Sequence, residues 1–123
     1  MISGVVNVKF EATIRLSVNN AHGQAQQIEA ILDTGFSGSL TLPSTTLHSL
    51  GLPWRTRGSV VLANGTVDQC DIYTATVMWD GRWRNILVEE ADTEPLVGMA
   101  LLRGHTLSVQ IIPGGTVLIT ALS

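Results

Sequence analysis

Cysteine, charge and long apolar runs are scarce in this chain. Cys70 is the only cysteine among 123 residues, which excludes an internal disulfide framework and any zinc site built on several cysteines. Charged residues make up 14% of the sequence, with a net charge of −3. The seven basic residues are Lys9 and six arginines scattered along the chain, so there is no basic stripe for nucleic acid. No apolar run approaches the roughly 18 residues a membrane helix requires. The opening MISGVVNVKFEA lacks the basic n-region and continuous apolar h-region of a signal peptide. These absences predict a soluble, cytoplasmic protein with neither a membrane nor a nucleic-acid partner. No motif implies a metal or an organic cofactor.

What the chain does have is apolar residues, at 45%, and a mean hydropathy of +0.29. The length suits one domain, residues 1–123, with a sizeable core. Such a composition fits a β protein with apolar surface left over for a partner subunit. It equally fits a core that is merely poor in charge, and composition does not separate the two.

Period-2 alternation and β-branched residues dominate the pattern. Val5 to Val18 places Val6, Val8, Phe10, Ala12, Ile14, Leu16 and Val18 on one face, and Asn7, Lys9, Glu11, Thr13, Arg15 and Ser17 on the other. This predicts one long strand, then a turn at Asn19 to Gly23 and a returning strand to Asp33. Asn64-Gly65 and Asp80-Gly81 lie between apolar runs, and each is the signature of a type I′ hairpin. Pro113-Gly114-Gly115 predicts a final hairpin. Leu42 to Leu52 fits one short helix, opened by Pro43 and stopped by Gly51. Leu96 to Gly104 carries a second helix-like tail. The expectation is an all-β unit of about eight to ten strands with one or two short helices.

Few side chains suggest chemistry. His22, His48 and His105 fall in separate segments, with no serine or cysteine in a nucleophile setting. Glu89, Glu90, Asp92 and Glu94 read as a solvated acidic loop, because calcium-loop spacing is missing. Trp79 and Trp83 flank the Asp80-Gly81 turn, where they are expected to pack across the hairpin; a substrate groove is their other reading, and Trp54's. Cys70 reads as a small hydrophobe.

Asp33 is the exception. It ends the apolar run IEAIL and is followed by TGFSGSLTLP, a place where desolvating a carboxylate is costly. Asp and Gly also occur in ordinary turns, so the tripeptide alone decides little. The segment ILDTGFSGSLTLP, the hairpin VVLANGTV and the run ILVEEADTEPLVGMALL occur along the chain in that order. Together these three segments resemble the retropepsin-like aspartic proteases over most of Ile28 to Leu102, and Asp-Thr-Gly-Phe looks like a bacterial group of small homologues.

The resemblance implies a closed β-barrel lobe and an aspartic endopeptidase. Peptide hydrolysis by this route needs two adjacent carboxylates sharing one proton, one acting on water and the other polarising the carbonyl. With a single Asp-Thr-Gly, the chain supplies half a dyad, so the resemblance implies a two-fold homodimer with Asp33 facing Asp33. Thr34 would tie the two loops together, and Gly35 would allow close approach of substrate. Phe36, Ser37, Ala63, Asn64, Gly65 and Thr66 would contact an extended peptide or protein substrate, the last four as a flap. The family's chain ends interleave between subunits, which MISGVV and TVLITALS could do here; pairing within one barrel is the other reading.

Three departures stand out. Phe36 replaces a small residue, and its ring is expected to desolvate the carboxylates and crowd the subsites. Met99 stands where retropepsins carry an arginine. Ser37 and Gly38 occupy the place of that arginine's carboxylate partner, so neither charge is left unpaired. The flap tip has one glycine, which predicts a stiffer flap. Phe36 also keeps open a second reading, in which the same barrel grips peptide without cutting it.

Overall fold

The computed structural model describes residues 1–61 and 64–123, and of Val60 the backbone alone. Ten strands and two short helices are present among the described residues: β1 (Ile2–Val6), β2 (Ala12–Asn19), β3 (Ala25–Leu32), β4 (Leu40–Leu42), α1 (Ser44–Leu50), β5 (Trp54–Val61), β6 (Val67–Trp79), β7 (Arg82–Glu90), β8 (Leu96–Val97), α2 (Met99–Leu102), β9 (His105–Val109) and β10 (Thr116–Ala121).

The strands form a single sheet in the order β5-β6-β7-β4-β8-β3-β2-β1-β10-β9. The sheet curls until β2 also meets β6 at Val18↔Val77, closing a ring of six strands. Inward positions alternate as a pleated strand requires. Ile14, Leu16 and Val18 of β2, Tyr73, Ala75 and Val77 of β6, and Ile86 and Val88 of β7 are all buried. Leu40 and Leu42 of β4 join them, and Leu47 and Leu50 of α1 pack into the same core. The expected all-β closed barrel with two short helices is the observed architecture.

Helix α1 is flanked by Pro43 and Gly51 as expected, and Gly51 takes the left-handed conformation that ends it. The Asp80-Gly81 turn also forms as expected. Both residues have positive φ, and Trp79 pairs directly with Arg82, as a two-residue type I′ turn demands.

Three expectations are corrected, and one choice left open by the sequence is decided. The run from Val5 to Val18 is a hairpin, not one strand. Asn7 Oδ1 accepts the backbone N–H groups of Lys9 and Glu11, both at 3.0 Å, and Phe10 turns with φ 61°. Five residues separate the paired Val6 and Ala12, and that odd number preserves the alternation across the turn. The period-2 signal therefore runs through the break, while Val8 and Phe10 are left exposed at 81% and 62%.

Asn64-Gly65 is not a type I′ turn. The flanking pair is Val61↔Val67, whereas a two-residue turn at Asn64-Gly65 would set Val61 opposite Asp68. Asn64 Oδ1 accepts the Thr66 N–H at 3.0 Å and the Thr66 hydroxyl at 2.6 Å, so its side chain holds a longer connection. Trp79 and Trp83 do not pack on each other. Opposite parity on the hairpin sends Trp79 into the core, edge-on to His105, and Trp83 outward.

The terminal strands pair within the chain. β1 lies between β2 and β10, and β10 lies between β1 and β9. The four pairs from Ile2↔Ile119 to Val5↔Thr116 occupy the edge that interleaving between subunits would need. Intrachain pairing, the second of the two readings, is the arrangement found.

The barrel seam sets a stability contrast. Leu40 is fully buried, where β4 meets both β7 and β8. Leu40→Ala should cost about 2–5 kcal/mol in urea denaturation. Val8→Ala on the exposed hairpin tip should stay within about 0.5 kcal/mol. Equal effects at the two sites would contradict this packing.

Candidate active site

Asp33 is the first residue beyond β3, and the path of the chain after it is shaped by β8. That short strand is inserted between β3, to which it runs parallel (Ile31↔Leu96, Leu32↔Val97), and β4, to which it runs antiparallel (Leu40↔Val97, Thr41↔Leu96). The chain from Asp33 to Ser39 must therefore bridge the end of β8 to reach β4.

Four backbone hydrogen bonds fasten this bridge to the turn after β8. The Asp33 N–H donates to the Val97 carbonyl at 2.9 Å, and the Gly98 N–H to Ser39 at 3.0 Å. The Met99 N–H donates to Phe36 at 2.8 Å, and the Ala100 N–H to Gly38 at 3.1 Å. Two of the three segments singled out in the sequence thus form one unit. The approach leaves no room for a side chain at Gly98. A Cβ there would lie 2.7 Å from the Phe36 carbonyl oxygen, and would strike the Phe36 ring and the Gly38 oxygen.

The Asp33 side chain is half-buried, and its Oδ1 accepts the Gly35 N–H at 2.9 Å. Thr34 is exposed, and its hydroxyl makes no hydrogen bond among the described residues. Gly35 lies against the carboxylate, since a Cβ on it would stand 3.3 Å from Asp33 Oδ1.

Two hollows flank this turn. Asp33 and Thr34 line the first, of about 510 Å³, with Phe10, Leu107, Val109 and Ile111 on its apolar side and Glu11 and Glu94 also on its wall. Gly35, Phe36 and Ser37 line the second, of about 750 Å³, together with Ser59 and Val61 of β5 and Leu87 and Glu89 of β7. The Phe36 ring packs across Gly38 and Gly98 and belongs to the second hollow. The crowding expected of it falls there and not on the hollow that Asp33 lines.

Asn64, Gly65 and Thr66 sit exposed at the tip of the β5–β6 hairpin and line neither hollow; the β5 arm of the hairpin does so instead. Ala63 lies outside the described residues.

Glu89 escaped the sequence reading, which assigned it to a solvated loop. It is a β7 residue paired with Ile72, half-buried, with Oε2 2.7 Å from where a Gly38 Cβ would be. Its outward parity with Leu87 was the available signal, obscured by the acidic residues after it. Burial raises the Glu89 carboxyl above the usual carboxylate range. Cys70 is half-buried, and burial raises its thiol too, with Glu89 as the largest charge effect. Among the described residues no cluster of acidic, histidine or cysteine side chains could hold a metal ion.

No family model and no curated protein matches the sequence. Solved structures do match the fold. A retropepsin-like aspartic protease from Rickettsia conorii superposes with a TM-score of 0.63 at 22% identity, over 99% of this chain and 91% of that one. EIAV protease complexed with the inhibitor HBY-793 does so with a TM-score of 0.57 at 17% identity, over 79% of this chain and 89% of that one. The chain has the retropepsin-like fold.

This geometry sets two expected outcomes. Gly98→Ala should lose about 1–3 kcal/mol by overpacking, read by chemical denaturation; an unchanged midpoint would mean that the two turns are not in contact. Glu89, with its folded-state pKa raised, favours folding below the unfolded carboxylate value, and that contribution is lost as pH rises through the raised one. Glu89→Gln should therefore melt above the wild type at neutral pH. The gap should close as pH falls toward about 4, and a gap that widens on acidification would reverse the assignment.

Proposed function

We propose that this chain is one half of an aspartic endopeptidase, acting as a two-fold homodimer in which Asp33 of each protomer contributes one carboxylate. The observation that carries this reading is the placement of Asp33. A half-buried carboxylate stands at the end of a barrel strand, on an Asp-Thr-Gly turn pinned by backbone hydrogen bonds to Val97, Met99 and Ala100. It opens onto a hollow with an apolar side of Phe10, Leu107, Val109 and Ile111. The likeness to two proteases supports the frame around it.

The chemistry comes from bringing two such turns together. Two carboxylates a few ångströms apart cannot both ionise, so the pair retains one proton at working pH. The ionised member takes a proton from a bound water, whose oxygen attacks the peptide carbon. The protonated member donates a hydrogen bond to the carbonyl oxygen as negative charge gathers there. Collapse of the tetrahedral intermediate returns a proton to the departing amine.

Each neighbour then has a task. The Gly35 N–H holds one Asp33 oxygen in place, leaving the other for water or the partner. Thr34 is exposed on the same turn, where its hydroxyl can bond across the two-fold axis. Phe36 and Ser37 form the floor of a substrate hollow. The Asn64-Gly65-Thr66 tip closes over an extended peptide that pairs with it like an added strand.

The decisive experiment is turnover of a diverse peptide pool by wild type and by Asp33→Asn, from acidic to neutral pH, with sedimentation of both proteins. The expected result is cleavage by a dimer with a bell-shaped pH profile. The variant should lose about 10²–10⁴-fold in rate while remaining dimeric. A folded dimer that binds peptide without cutting it at any pH would make this groove a peptide-binding module. Cleavage that survives Asp33→Asn would place the chemistry elsewhere.

A further inference from the structure

The second hollow contains a carboxylate that the proposed chemistry does not use. Glu89 reaches it from β7, beside the space left by the missing Gly38 side chain. Phe36, Ile72 and Leu87 give the same hollow apolar patches, on a wall that also carries Ser37, Ser39, Ser59 and Asn85. Among the described residues Glu89 accepts no hydrogen bond and has no cation within 4 Å. The charged or titratable groups nearby are Cys70 on β6, and Arg84 and Arg103 on the wall of the hollow. None of them neutralises the carboxylate at contact distance.

A half-buried carboxylate without a partner is costly, and a ligand that supplies the missing cation recovers that cost. The apolar patches favour a cation carried on an aliphatic stem that can lie along them. Lysine satisfies both, and arginine nearly so. Arg84 and Arg103 would favour the opposite charge if they governed the hollow. Arg103 is exposed, and a flexible, solvated charge discriminates less than a partly desolvated one. Arg84 is half-buried like Glu89 and is, among the described residues, its one real competitor for the charge that the hollow selects.

We infer that Glu89 makes the hollow beside Phe36 a subsite for a basic side chain, so that the peptide carries a lysine or arginine near the bond presented to Asp33. This rests on the endopeptidase reading for the word substrate, but not for the binding itself.

The two can be tested apart with one positional-scanning peptide library carrying lysine, norleucine or glutamate at each position. Cleavage is read with the wild type, and binding with Asp33→Asn, where nothing is cut. One position should favour lysine over norleucine by about tenfold, the discrimination expected of one hydrogen-bonded charge. Glu89→Gln should bring that ratio close to one, and Glu89→Arg should turn it toward glutamate. In the wild type the preference should be largest near neutral pH and decline on acidification, as the carboxyl takes up its proton.

Cleavage or binding with no lysine preference, or a preference that survives Glu89→Gln, would overturn the subsite and leave the peptidase standing. A preference for glutamate in the wild type would assign the hollow to Arg84 and Arg103 and overturn it as well. Lysine peptides that bind but are never cut would keep the subsite and overturn the peptidase. A library neither bound nor cut would overturn both.

Discussion

The insertion of β8 between β3 and β4 is the constraint on which the rest of the site depends. A two-residue strand cannot contribute much pairing energy by itself, but here it separates two strands that are neighbours in sequence. The connection between them must arch over its end. That arch is the Asp-Thr-Gly turn, and the residues under it are the backbone of Val97 to Ala100. The carboxylate is thus positioned by main-chain hydrogen bonds from a distant part of the chain, which hold its geometry independently of side-chain rotamers. Gly98 is the contact at which the two parts meet most closely, and its lack of a side chain is what lets Phe36 fold down over the arch.

Much of this was legible in the sequence, for reasons that are local. Strand alternation, the Asp80-Gly81 turn and the α1 boundaries are written within a few residues of where they act, so the period and the turn chemistry suffice. The failures share a different cause. The β1–β2 hairpin is invisible to periodicity because its five-residue tip keeps the parity of the flanking strands; only the Asn7 side chain betrays it. The Asn64-Gly65 signature is overridden by Asn64 bonding to Thr66. The fate of the two terminal strands depends on an edge-to-edge choice that no local rule decides.

The candidate site divides the same way. Asp33, Thr34 and Gly35 could be singled out because a turn motif sits in one stretch of chain. Glu89 could not, because its role arises from a gap at Gly38, far away in the sequence, and its neighbours Glu90, Asp92 and Glu94 suggest solvent. The outcome for Phe36 is similar. Its size was evident, but only the pair of glycines that receive the ring reveals which hollow it fills.

The intrachain pairing of β1 with β10 has a kinetic meaning. Because the two terminal strands pair with each other within one chain, the sheet is completed without waiting for a second copy. If Asp33 works in pairs, the competent species then appears by mass action: when dimers are scarce, its abundance rises with the square of protomer concentration. Such a chain would lie dormant when dilute and awaken when crowded together. The local density of the protein would serve as its own on-switch.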